Sequence, residues 1–196
     1  MGRVKTLPYD AEVEYIESVN GTQKIVTNFI PNTDDLTFTL KFEYIDFTSG
    51  SAWVGAWFHA YSGEQTGTYR ILKQNRSKIA VRVSNGQLAS GKKLADNIPI
   101  VQNTLYDVVI TPDYCTFNDV RYGKVDPFYG NVNTAPLQVF DQCLGKFYSL
   151  QVEKGGDVVL DLIPVRIGQV GYLYDSVSGE LFGNAGTGTF VVGPDK

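Results

Sequence analysis

The sequence predicts an all-β chain folded as a two-sheet antiparallel jelly-roll sandwich, and three observations carry that expectation. Apolar residues recur with a period of two in about a dozen short segments, which marks half-buried strands. Turn-forming pairs separate those segments at regular intervals, as the tight connections of a sandwich require. The composition includes 11 Phe, 12 Tyr and 20 Gly in 196 residues, which favours strands and tight turns over helices. Nowhere do apolar residues hold helical spacing over three turns.

Met1 to Asp10 is short, polar and contains Pro8, so residues 1–10 read as an N-terminal tail and 11–196 as a single domain. The clearest strand is 36–44, where Leu36, Phe38, Leu40, Phe42 and Tyr44 point one way and Thr37, Thr39, Lys41 and Glu43 the other. Strands are also expected over 13–16, 24–29, 52–61, 69–73, 78–83, 105–111, 147–153, 158–163, 170–174 and 190–192. Turns are expected at Asn20-Gly21, Ser49-Gly50, Ser62-Gly63, Asn85-Gly86, Asn118-Asp119, Gly155-Gly156 and Ser178-Gly179. The stretch 122–136, rich in Gly, Asn and Pro, reads as the longest loop.

Charge and inventory exclude several functions. A net charge of -4, with 17 Lys and Arg spread along the chain, leaves no basic footprint for nucleic acid. No apolar run approaches the ~20 residues of a membrane helix, and the opening residues lack a signal-peptide core. Cys115 and Cys143 are expected to be buried free thiols rather than a disulfide framework. His59 is the single histidine, which removes most triads and zinc sites. Gly183-Asn-Ala-Gly-Thr-Gly188 has the composition of a phosphate loop, but a short strand follows it, so it reads as a turn. Asn20-Gly-Thr22 and Asn75-Arg-Ser77 match the glycosylation pattern. Asp34-Asp35 and residues 126–133 are oxygen-rich loops of the kind that hold Ca²⁺; no cofactor is otherwise expected.

The strand around His59 is the candidate site. Trp53, Gly55, Trp57, His59 and Tyr61 share one parity, and Val54, Ala56, Phe58 and Ala60 the other. If the second set faces the core, Trp53, Trp57, His59 and Tyr61 form an outer row on which a sugar can stack. If the first set faces inward, the tryptophans are core.

Glu12-Val-Glu-Tyr-Ile-Glu17 resembles the Glu-x-Asp-x-x-Glu signature of laminarinase-type glucanases, with Glu14 in the Asp position. It lies in the first strand, where three solvated carboxylates are the plainer reading. A broader resemblance covers both ends of the chain. Val13-Glu-Tyr-Ile-Glu-Ser-Val-Asn-Gly-Thr-Gln23 opens it, and Gly145-Lys-Phe-Tyr-Ser-Leu-Gln-Val-Glu153, Asp161-Leu-Ile-Pro-Val-Arg166, Gly171-Tyr-Leu-Tyr-Asp-Ser-Val-Ser-Gly179 and Leu181-Phe-Gly-Asn-Ala-Gly-Thr-Gly-Thr-Phe190 complete it. This order resembles the concanavalin A-like (LamG-type) jelly rolls of phage virion proteins and gut-bacterial surface proteins.

Within those motifs Pro164 is expected to end or bend its strand. Arg166 is expected to pair with Asp161 or cap a turn. Gly179 and Gly186 suit positive φ. The resemblance implies a non-enzymatic structural or accessory protein of a bacteriophage particle, a tail, baseplate or head-decoration component with glycan-adhesion capacity. Its partners would be other virion subunits or a cell-surface glycan. It would assemble in the host cytoplasm, and a homo-oligomer is compatible with that role. The alternative is a cell-surface or secreted carbohydrate-binding module, and a glycoside hydrolase stands third. Fold alone decides none of these.

Overall fold

A computed structural model describes residues 7–33, 35–47, 56–61, 68–75, 77–84, 93–123 and 133–196. Seventeen strands and no helix occur among them. In chain order these are β1 (Ala11–Glu12), β2 (Ile16–Ser18), β3 (Ile25–Val26), β4 (Leu36–Phe47), β5 (Ala56–Tyr61) and β6 (Thr68–Asn75). Then come β7 (Lys78–Ser84), β8 (Lys93–Pro99), β9 (Thr104–Ile110), β10 (Tyr114–Phe117), β11 (Val120–Gly123) and β12 (Gln138–Asp141). The last are β13 (Cys143–Lys154), β14 (Asp157–Ile167), β15 (Val170–Asp175), β16 (Leu181–Phe182) and β17 (Val191–Val192).

Two antiparallel sheets form the sandwich, as the period-two pattern predicts. One runs β11-β10-β9-β4-β13-β14-β15-β16, with β1 on β14 and β2 between β13 and β17; the other runs β3-β12-β5-β6-β7-β8. At the centre of the larger sheet β4 and β13 pair along their twelve-residue lengths. Leu36, Phe38, Leu40, Phe42 and Tyr44 are all buried. Phe38 reaches across to the smaller sheet, its ring 5.3 Å from Phe58 and 4.9 Å from Tyr69. The jelly-roll sandwich is thus held by interdigitating inner faces.

The first expected strand, 13–16, is two strands. β1 pairs with β14, the chain bends through 13–15, and β2 pairs with β13 and β17. Val13 in the bend is buried and bridges Asp195. Glu12, Glu14 and Glu17 therefore do not share one strand, as the glucanase-like spacing would require. The expected strand 24–29 contracts to Ile25–Val26.

Pro164 does not end its strand: β14 continues to Ile167. Its carbonyl accepts a hydrogen bond from the Val13 N–H at 3.0 Å, so the side on which proline lacks a donor faces the point where β1 leaves the ladder. Arg166 pairs not with Asp161 but with Asp195. Asp161 instead accepts from the Ser176 hydroxyl at 2.6 Å.

Asn118 and Asp119 have φ of 48° and 66°, the left-handed pair that a two-residue hairpin turn requires. Gly179 has φ of 80° as expected, whereas Gly186 is absent from the positive-φ set and has a different reason to be glycine, given below. The tail joins the fold before Ala11. Tyr9 packs on Tyr174 with centroids 5.1 Å apart, and the Asp10 carboxylate accepts from the Gly168 N–H at 2.7 Å. The turns at Ser49-Gly50, Ser62-Gly63 and Asn85-Gly86 lie outside the described residues, as does most of the expected long loop.

Candidate functional site

Trp53 and Gly55 lie outside the described residues, and the side chains of Trp57 and Tyr61 are likewise outside them, although both sit on β5. Phe58 and Ala60 are buried between the sheets, so His59 belongs to the opposite, outward parity. Its side chain is only 13% exposed. The imidazole is packed among neighbours rather than presented as an open surface.

Register explains those neighbours. Val26, Gln138, His59, Arg70 and Arg82 lie directly opposite one another across β3, β12, β5, β6 and β7, forming one cross-strand rung on the outward face. Arg82 is buried and donates to the Asp96 carboxylate at 2.7 Å. The rung is cationic, and among the described residues Asp96 and Asp141 are carboxylates set against it.

Asp141 reaches His59 because β12 abandons regular alternation. In an undistorted strand Asp141 would share the inward parity of Val139. Phe140 instead adopts φ of 59° and Gln142 φ of 54°. Val139 and Phe140 are consequently both buried, and Asp141 turns out beside the rung. Its Oδ2 lies 3.4 Å from His59 Nε2. A bulky aromatic residue in the left-handed region is strained. Packing holds it there, with the Phe140 ring 5.4 Å from Phe190 and 6.3 Å from Phe147.

On its other side Asp141 borders a cleft of about 460 Å³. Thr22, Lys24, Gln142, Gly186 and Thr187 contribute to the same walls. The glycine-rich loop packs against the segment before β3: Ala185 N–H donates to the Lys24 carbonyl at 2.8 Å and Thr187 N–H to the Thr22 carbonyl at 3.1 Å. Gly186 is glycine for closeness, since a Cβ there would stand 1.9 Å from the Thr22 carbonyl oxygen. The loop is a turn before the last strand, as its sequence predicts, and also a wall of the cleft.

Five backbone donors lining the cleft are already committed. Those of Thr22, Lys24, Ala185, Gly186 and Thr187 are all bonded within the protein. These five amides offer an anion no nest. Side chains supply the recognition chemistry: the Asp141 carboxylate accepts, the Lys24 ammonium donates, and the Thr187 hydroxyl does both.

Burial, the largest influence on His59, pushes its pKa below the ordinary imidazole value. Asp141 opposes that shift, while Arg70 and Lys24 add to it. The Nε2 atom is sealed from solvent and makes no aligned hydrogen bond, despite its short distance to Asp141.

A second cleft of about 280 Å³ touches Glu14, Lys41 and Tyr148 on the larger sheet. Lys41 and Tyr148 on its walls are engaged within the protein. Lys146 donates to both Glu43 oxygens at 3.1 and 3.2 Å, Tyr148 donates to Glu43 at 3.3 Å, and Lys41 lies 3.4 Å from Asp107. Of the expected calcium ligands, Asp34 and residues 126–132 lie outside the described residues. The Asp35 carboxyl is held below the usual carboxylate range, chiefly by a hydrogen bond from Thr33. No group of three His, Cys, Asp or Glu suited to a metal occurs among the described residues. Cys115 and Cys143 are buried thiols outside any disulfide.

Lys24, Asp141, Gln142 and Gly186 were not singled out by the sequence as site residues. Asp141-Gln142 carries no glycine or proline to advertise a left-handed backbone, and Lys24 reaches the cleft only through pairings distant in sequence. The glycine-rich loop was the one local signal available.

No family model and no curated protein matches the chain. Among solved structures it is similar to a native heptameric SAP-like pentraxin from Limulus polyphemus, with 12% identity and a TM-score of 0.48, over 74% of this chain and 76% of that one.

Proposed function

We propose that the chain is a non-enzymatic structural or accessory protein of a bacteriophage particle that holds a neutral, polyhydroxylated glycan in the cleft beside Asp141. The cleft chemistry carries the glycan part of this reading. A sugar offers hydroxyls that donate and accept, and Asp141, Lys24 and Thr187 complement them. Hydrolysis would need a second carboxylate at roughly 5–10 Å, and among the described residues Asp141 is the one carboxylate lining this cleft.

Two observations support the particle assignment. The opening and closing motifs resemble virion jelly rolls, and the buried thiols need no oxidising compartment. The same motifs also resemble bacterial surface proteins, so a cell-surface or secreted carbohydrate-binding module is the second reading.

Mass spectrometry of purified particles separates the two: the chain should be present at subunit stoichiometry, and its recovery only from culture supernatant would favour the second. Binding is tested on a glycan array with Lys24→Ala and Asp141→Asn. Each should weaken capture about tenfold, the effect of one hydrogen bond to a charged group. Undiminished binding in both folded variants would remove the cleft as the site.

A further inference from the structure

Asp141 stands between the cleft and the His59 ring. One carboxylate serves two places: it lines the cleft, and its Oδ2 stands 3.4 Å from His59 Nε2. That nitrogen is shut off from water and has no aligned hydrogen-bond partner.

Among the described residues, the groups facing His59 are Asp141 and the neutral Gln138 on β12, Arg70 on β6, and Lys24 from the segment before β3. Burial and the two cations hold the ring neutral near pH 7. A proton added to it changes the preference of the carboxylate. Asp141 is the anion among these groups, and an N–H···O bond between imidazolium and carboxylate is short and charge-assisted. At 3.4 Å, a side-chain rotation of Asp141 is enough to close it.

We infer that His59 is a positioning residue for Asp141: as imidazole it leaves the carboxylate to the cleft, and as imidazolium it draws the carboxylate away, so that mild acid releases what the cleft holds. The release rests on the proposed glycan reading; the coupling of the two side chains does not. Acceptance of a proton is the only chemical step, and the ligand leaves unchanged.

Because His59 is the single histidine, its ring signals in a proton–carbon NMR spectrum are its own. The folded chain is titrated from about pH 8 to about pH 4.5, bracketing the ordinary imidazole value of ~6.5. The ring should titrate below that value. The Asp141 carboxyl carbon and the amides of Gln142 and Gly186 should move with the same midpoint. Asp141→Asn should lower the ring midpoint further, because it removes the influence that raises it. A ring that titrates while Asp141 and Gln142 stay still would overturn the coupling, and this arm needs no histidine variant to fold.

The second arm is an array of neutral oligosaccharides read at about pH 7.5 and about one unit below the ring midpoint that the titration gives. Wild type should lose about tenfold of its signal in acid, one charge-assisted bond's worth, and His59→Gln should lose none. Equal loss in a folded His59→Gln would overturn the release. A blank array beside a coupled titration would overturn the glycan reading while supporting the pair.

Discussion

Arg166 donates two hydrogen bonds to the Asp195 carboxylate, from Nε to Oδ1 at 2.7 Å and from Nη2 to Oδ2 at 2.6 Å. The fork joins β14 to the last residues of the chain, and a third donation from Nη1 reaches the Gly168 carbonyl at 3.2 Å. The pairing lowers the Asp195 pKa, chiefly through the hydrogen bond from Arg166, and raises that of Arg166. A carboxylate with a depressed folded pKa contributes stability above its unfolded value and loses it as pH falls through the folded one. Asp195→Asn should therefore lower the melting temperature slightly at neutral pH and leave it unchanged in strong acid. Salt should shrink the difference, because the pair is exposed to solvent.

Arg82 sets a harsher condition on Asp96. The guanidinium is buried beneath one face of the smaller sheet and its Nη1 donates to Asp96 at 2.7 Å and to the Ala95 carbonyl at 3.4 Å. Removing the carboxylate takes a charged partner from a buried guanidinium, so Asp96→Ala should cost about 3–5 kcal/mol in urea unfolding. Arg82→Met combined with Asp96→Ala should recover most of that loss. A double variant as unstable as the single one would mean that the packing of the arginine stem, not its charge, sets the effect.

Gly186 tests the architecture of the cleft without touching its charges. An alanine Cβ would collide with the Thr22 carbonyl oxygen, so the loop must move and the Thr187–Thr22 hydrogen bond with it. Gly186→Ala should lose about 1–3 kcal/mol, the usual cost of overpacking. Ligand capture should fall while the β4–β13 ladder stays intact, as amide hydrogen exchange would report.

The two thiols should be silent in the native state. Burial pushes Cys115 up to about 12 and raises Cys143 as well, and the thiolate is the reactive species. A thiol reagent at pH 8 should modify neither residue until denaturant is added, and then both. Rapid native labelling of either would contradict its burial.

Much of the fold was legible because it rests on alternation. Leu36 to Tyr44 reads inward and outward correctly residue by residue, since the pleat has a period of two, and Asn118-Asp119 announces its hairpin. Strand ends were less visible. The break at 13–15 depends on β1 and β2 choosing different partners, β14 and β13, a choice made by residues some 130 to 150 positions away. The site was hidden for a related reason. Parity places His59 outward, but it also places Asp141 inward, and only the left-handed Phe140 reverses it. Nothing in the identity of a phenylalanine predicts that reversal; the rings of Phe147 and Phe190 supply it.

The pairing of the two ends has a mechanical side. Lys196 donates to Glu12 at 3.0 Å, Glu14 to Pro194 at 2.8 Å and Gly193 to Tyr15 at 2.9 Å, and β17 continues the same antiparallel run onto β2. Tension applied between residue 12 and residue 196 would load these bonds one after another, each worth about 1 kcal/mol net. The closing strand should therefore peel at low force, in small steps, before the long β4–β13 ladder feels the load. A tether fixed at either end of this seam opens the sandwich as a zip, and one fixed elsewhere must shear it.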